Sequence, residues 1–190
     1  MLRFAPLPAL CLVLASVVPA VAADDLAPQK AEATAIVKEY GGRLQGELKA
    51  AMESGGPVAA ITVCNQRSPA IAADMSARTG WMVARTSLKP RNSASAPTVW
   101  EEGVMRDFER RIAAGEPVAD LARAEVVEEG GAPLFRFAKA VPTAELCLNC
   151  HGSELKPETQ AALRHLYPTD TATGFKVGDM RGIFSLSKRM

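Results

Sequence analysis

An α+β domain built around an antiparallel sheet, with a helix at its N-terminal end, is what this sequence predicts. Three observations carry that expectation. Helical periodicity dominates the first half of the chain, period-two alternation flanks Gly130-Gly131 and returns near the C-terminus, and the strand-like segments are joined by hairpin-like turns.

The elements follow in chain order. From Gln29 to Met52 the residues Ile36, Val37, Tyr40, Leu44, Leu48 and Met52 recur at three- and four-residue steps, the pattern of an amphipathic helix despite Gly41-Gly42. Ser54-Gly55-Gly56-Pro57 is expected to end it. A second helical stretch spans Val58 to Arg78, with a restart expected at Ser68-Pro69 and closure at Thr79-Gly80. Trp81 to Thr86 has strand composition, Lys89 to Pro97 reads as a loop, and Thr98 to Ala114 as a helix with Val99, Val104, Phe108 and Ile112 on one side. A hairpin is expected next, from Ala124 to Glu129 and back from Leu134 to Val141. Cys147 to His151 is expected to open a short helix, and Pro157 to Leu166 to form another, stopped by Pro168. Gly174 to Lys188 alternates like a final hairpin.

The chain has 190 residues, enough for one domain with a core of its own. With 48% hydrophobic residues, neither disorder nor a multi-span membrane protein is indicated. Lys and Arg number 22 against 21 Asp and Glu, with no basic block, so nucleic acid is not an expected partner. Residues 1–23 have the layout of a secretory signal peptide. Arg3 precedes an uncharged stretch from Phe4 to Ala23, and Ala20-Val21-Ala22-Ala23 offers small residues before Asp24-Asp25. An uncleaved anchor is the alternative, because the stretch is long enough to span a bilayer, but its prolines and its cleavage site favour removal. The expected product is a neutral, periplasmic, single domain over residues 24–190, with no membrane association after cleavage.

Three cysteines remain beyond the leader, Cys64, Cys147 and Cys150, and an odd number in an exported protein leaves no complete disulfide framework. Cys147-Leu148-Asn149-Cys150-His151 is the C-x-x-C-H haem attachment motif. Two thiols one helical turn apart add to the haem vinyl groups, and the adjacent histidine supplies an axial nitrogen. With four cysteines and two histidines in the chain, a chance match has a probability of roughly one in a thousand. A zinc site would lack an evident fourth ligand, and a thioredoxin-like pair would want a βαβ context. One covalently held haem c is therefore the expected cofactor, with His151 as one ligand of the iron. For the sixth position the residues leave Cys64, His165, Met52, Met75, Met82, Met105 and Met180 open.

Val63-Cys64, Arg85-Thr86-Ser87-Leu88, Arg91-Asn92, Pro97, Trp100-Glu101, Cys147 to Gly152, Gly174, Gly178-Asp179 and Arg181-Gly182 recur here in one order. This set resembles a domain family of exported, monohaem, c-type cytochrome-like proteins with a PAS-like haem-binding domain, over roughly Lys30 to Lys188. The resemblance implies a five-stranded antiparallel sheet flanked by helices, a haem in the PAS-like pocket, and Cys64 as the thiolate ligand opposite His151. Ser95 stands where the family pattern has a second asparagine, so that loop is expected to differ in detail. Arg85 and Arg91 are candidates to pair with haem propionates, with loop bracing as the alternative. Trp81 and Trp100 are expected in core and pocket packing.

Electron transfer or redox sensing is the leading functional expectation, since thiolate ligation stabilises ferric iron. A gas or small-ligand sensor is the alternative. A peroxidase-type enzyme would need a distal acid–base residue, for which His165 is the sole candidate, so catalysis is not expected. The partners implied are a redox protein and, as an open option, a second copy of the chain. With no output module after Met190, signalling within one chain is not expected.

Overall fold

A computed structural model of the protein describes residues 26–190; the expected signal peptide lies outside the described residues. Four α-helices and a four-stranded antiparallel sheet form three layers. Helix α1 (Ala27–Thr79) consists of two helical arms joined by a kink at Gly55 and Gly56, whose backbone is not helical. Gly56, at φ +65° and ψ −161°, occupies a region that only glycine enters readily. The chain folds back there, and the two arms lie antiparallel, tied by Arg43–Asp74, Arg67–Glu47 and Arg78–Glu39 ion pairs. Tyr40 Oη also donates to the Ser68 carbonyl at 2.9 Å. The restart expected at Pro69 does not occur. The helix runs through it because Ile61, Ile71 and Met75 bury one face of the second arm, which outweighs one lost backbone bond. Gly80, at φ +72°, then ends the helix with its N–H on the Ser76 carbonyl.

Strand β1 (Met82–Thr86) leads through a loop with a single 3₁₀ turn, Ser93–Ser95, to α2 (Val99–Ala113). Thr98 caps α2 reciprocally with Glu101, the Thr98 hydroxyl accepting from the Glu101 N–H and the Glu101 carboxylate from the Thr98 N–H. β2 (Ala122–Glu129) and β3 (Ala132–Pro142) make the expected hairpin around Gly130-Gly131. After α3 (Glu145–His151) and α4 (Pro157–Leu166), β4 (Met180–Arg189) completes the sheet in the order β1-β4-β3-β2.

Three further expectations are corrected here. Gly174 to Lys188 is not a hairpin, and the described residues hold four strands rather than five. The segment before β4 makes its hydrogen bonds elsewhere, with Gly178 N–H on the Thr143 carbonyl and Thr143 N–H on the Asp179 carbonyl. β4 inserts between β1 and β3, so both of its edges are taken. Cys147–His151 also closes α3 rather than opening a helix, with Gly152 as its C-cap.

Alternation on the central strands feeds two cores. Phe135, Phe137, Phe184 and Leu186 point to the α1 side with Tyr40, Met75 and Trp81, and Ala138, Ala140 and Ile183 point to the α2 side with Val104, Met105 and Phe108. A third cluster of Ile61, Cys150, Leu163 and Tyr167 seats α3 between the second arm of α1 and α4.

Candidate functional site

Between the second arm of α1, β1, the loop after β1 and the start of β4 lies a cavity of about 470 Å³, within the usual range for a small-molecule or cofactor site. Cys64, Arg85, Arg91, His151 and Arg181 all line it. Of the six predicted site residues, the fold thus brings Cys64, Arg85, Arg91 and His151 to one cavity. Cys147 and Cys150 sit on α3 behind His151 and do not line it, yet each is close enough to Cys64 for their thiolates to repel. All three sulfurs are free.

His151 is held with care. Its Nδ1–H donates to the Ala172 carbonyl at 2.7 Å, leaving the Nε2 lone pair as acceptor toward Arg181 Nη1 at 3.2 Å. Desolvation, reinforced by the guanidinium of Arg181, pushes the imidazole well below its ordinary pKa, so the ring is neutral at pH 7. A neutral imidazole with Nδ1 pinned by a carbonyl and Nε2 facing a cavity is the form that ligates metals.

The backbone around it is cross-tied. Arg91 Nε pairs with Asp170 at 3.0 Å in a mostly buried ion pair, and its Nη2 reaches the carbonyls of Cys150 and, at 3.2 Å, Ala172. Asp170 in turn accepts from Ala172 N–H, while Gly174 and Phe175 N–H donate to the Gly152 and His151 carbonyls. One arginine therefore clamps α3 and the Asp170–Phe175 loop into a single unit.

Cys64 is partly buried, and desolvation raises its thiol pKa, against the pull of Arg85, Arg181 and Arg91. Among the seven sixth-ligand candidates it is the one on the cavity wall. Met75 and Met105 are wholly buried in the two cores, Met82 and His165 are exposed, Met52 is half-buried on α1, and Met180 packs against the α2-side core. Trp81 and Trp100 do not line the cavity either. Trp81 stacks edge-on against Phe135 in the core, and Trp100 Nε1 donates to Glu125 at 2.6 Å. Trp81 thus meets the expectation of core packing, while pocket packing by a tryptophan is corrected, because neither ring reaches the cavity wall. Ser95 contributes its carbonyl to Thr86 Oγ1 at 2.9 Å, bracing the cavity's loop.

Arg181 was missed as a site residue. It belongs to the quoted Arg181-Gly182 pair, but nothing in its local sequence shows that β4 would carry it to His151. The Ala172 carbonyl was equally invisible, since backbone acceptors carry no residue signature. No three His, Cys, Asp or Glu side chains among the described residues are grouped to hold a bare metal ion.

A family model described as Tll0287-like matches residues 17–188. Among solved structures, the "Crystal structure of the cyanobacterial heme-protein Tll0287" matches with a TM-score of 0.67 and 21% identity, covering 86% of this chain and 96% of that one. At that identity the likeness speaks for a shared fold, and it agrees with the α+β, PAS-like expectation. No curated protein matches the chain.

Proposed function

The chain belongs to the Tll0287-like family, and from that premise we propose that it is an exported protein carrying one haem c, working in electron transfer or redox sensing in the periplasm. One observation carries the reading: a neutral His151 and the thiol of Cys64 face the same cavity, with C-x-x-C immediately before the histidine. The name of the fold neighbour, a cyanobacterial haem protein, supports the same cofactor.

The residues fit the group. Cys147 and Cys150 would hold it by thioether bonds, and His151 and Cys64 would ligate its iron. When bound, such a haem supplies a one-electron couple. The Ala172 carbonyl fixes the ring orientation of His151 and strengthens its donor nitrogen. Burial raises the Cys64 thiol pKa and the cationic wall of Arg85, Arg181 and Arg91 only partly offsets it, so the thiolate would form on binding the iron, where as a strong anionic donor it would stabilise the oxidised metal. A low reduction potential is expected, which suits a sensor or a low-potential carrier.

The test is a haem stain on a denaturing gel, with absorption spectra of protein co-expressed with the c-type maturation machinery. A stained band that disappears in Cys147→Ser/Cys150→Ser supports covalent attachment. A low-spin ferric spectrum with thiolate character, lost in Cys64→Ala, supports the ligand pair. A chain that releases all haem on denaturation would overturn covalent attachment, and carbon monoxide binding to the reduced wild type would favour the small-ligand sensor.

A further inference from the structure

Four cations line the cavity, Arg85, Lys89, Arg91 and Arg181, and among the described residues no aspartate or glutamate does. Two of the four have partners in the protein. Arg91 is paired with Asp170, and Lys89 Nζ donates to the Thr173 carbonyl at 2.7 Å. The other two are left over. The Nε atoms of Arg85 and Arg181 are both buried with no hydrogen-bond partner, and the side-chain contact of Arg181 is the one to His151.

Both residues are half-buried, and a guanidinium drawn partly out of water is ordinarily paired, because desolvating a cation without an anion is costly. These two reinforce the problem for each other, since they lie close enough to repel. The backbone that carries them is fixed. Ser87 Oγ donates to the Arg181 carbonyl at 2.7 Å, and at Gly182 a Cβ would sit 2.2 Å from the Thr86 carbonyl oxygen, so β4 is pressed onto β1 beside Arg181. Arg85 lies on β1, stacked at 5.6 Å over the Phe184 ring of β4.

We propose that Arg85 and Arg181 form a two-cation site for the paired carboxylates of the cavity's occupant, and that Arg91, committed to Asp170, does not share in it. The inference rests on the haem reading, where those carboxylates are the propionates. Planar guanidiniums suit such contacts, and two of them select a dianion over a neutral analogue of the same shape.

The test titrates the full chain from Asp24, made without haem-maturation machinery, with haemin and with haemin dimethyl ester, following the Soret band. Wild type is expected to bind the diacid at least about tenfold more tightly than the diester, roughly one or more charge-assisted contacts. Arg85→Gln/Arg181→Gln is expected to bring that ratio to about one, while Arg181→Lys and the charge-neutral pair Arg91→Gln/Asp170→Asn retain most of it. Should the double variant lose its far-UV circular dichroism, the ratio in Arg181→Gln alone decides, and it must fall. A wild type that takes both probes equally, or a preference that survives in the glutamine variants, overturns the two-cation site and leaves the haem reading standing. Failure of wild type to bind either probe, together with no haem stain on matured protein, overturns both.

Discussion

Gly182 and Arg91 carry the tightest residue-level constraints around the site. At Gly182, φ is +151° and a Cβ would overlap the Thr86 carbonyl oxygen at 2.2 Å, a backbone atom that cannot swing aside. Gly182→Ala is expected to destabilise the protein by about 2–4 kcal/mol, read by urea unfolding, through strain and loss of β1–β4 contact. Wild-type stability in that variant would show that the two strands can part there. Arg91 differs because its loss strands a charge. It and Asp170 are 12% and 10% exposed, so little solvent screens them. Arg91→Met leaves a buried carboxylate unpaired and is expected to cost about 3 kcal/mol or more. In a double-mutant cycle with Asp170→Asn the two losses should be strongly non-additive. Additive losses would mean that Arg91 acts mainly through the carbonyls of Cys150 and Ala172.

The element most open to solvent conditions is α1, whose arms are tied by exposed ion pairs. The hydrogen bond from Arg43 holds the Asp74 carboxyl below its ordinary pKa, and that from Arg67 does the same for Glu47. A carboxyl depressed in the folded state contributes stability at pH above its unfolded value, and the contribution is lost as pH falls through the folded value. With ordinary values of 3.8 and 4.5, the arms should hold through neutral and mildly acid pH and loosen below about pH 4. Hydrogen exchange is the measurement. Amides on the outer face of α1 should lose protection between about pH 4 and pH 3, ahead of those on β3, and a uniform loss would contradict it. Surface pairs contribute little each, so the melting point at pH 7 should barely move in Glu47→Gln.

At the scale of the whole molecule, β3 and β4 are shared by both cores, so the three layers stand or fall together. Phe135 is fully buried on β3 against Trp81, at 5.7 Å between ring centroids, on the face that packs the α1 arms. Phe135→Ala should cost about 3–5 kcal/mol. Because the same strand carries Ala138 and Ala140 into the α2 core, unfolding should remain a single transition by circular dichroism and by tryptophan fluorescence. Two separate transitions would show that the α1 hairpin is an independent unit. The cavity depends on this coupling, since its walls come from α1, β1 and β4 and its histidine from α3.

Much of this was open to reading from the sequence, for physical reasons. Hydrophobic period marks α2, β1 and the β2–β3 hairpin because each buries one face, and Gly130-Gly131 marks the turn because both glycines adopt positive φ. Cys147 to His151 stands out because the proposed attachment chemistry asks for those residue types at that spacing. What the pattern could not reveal was competition over distance. Period two near Gly174 to Lys188 suggests a hairpin, but tertiary contacts with β1 and β3 captured the last strand and left its approach as loop. Pro69 suggests a restart, but packing carried the helix through. Only the folded chain decided that Cys64, some eighty residues before the motif, shares a cavity with His151, or that Arg181 meets it from β4. Local sequence specifies which chemistry a residue brings, whereas long-range pairing and burial determine which residues meet.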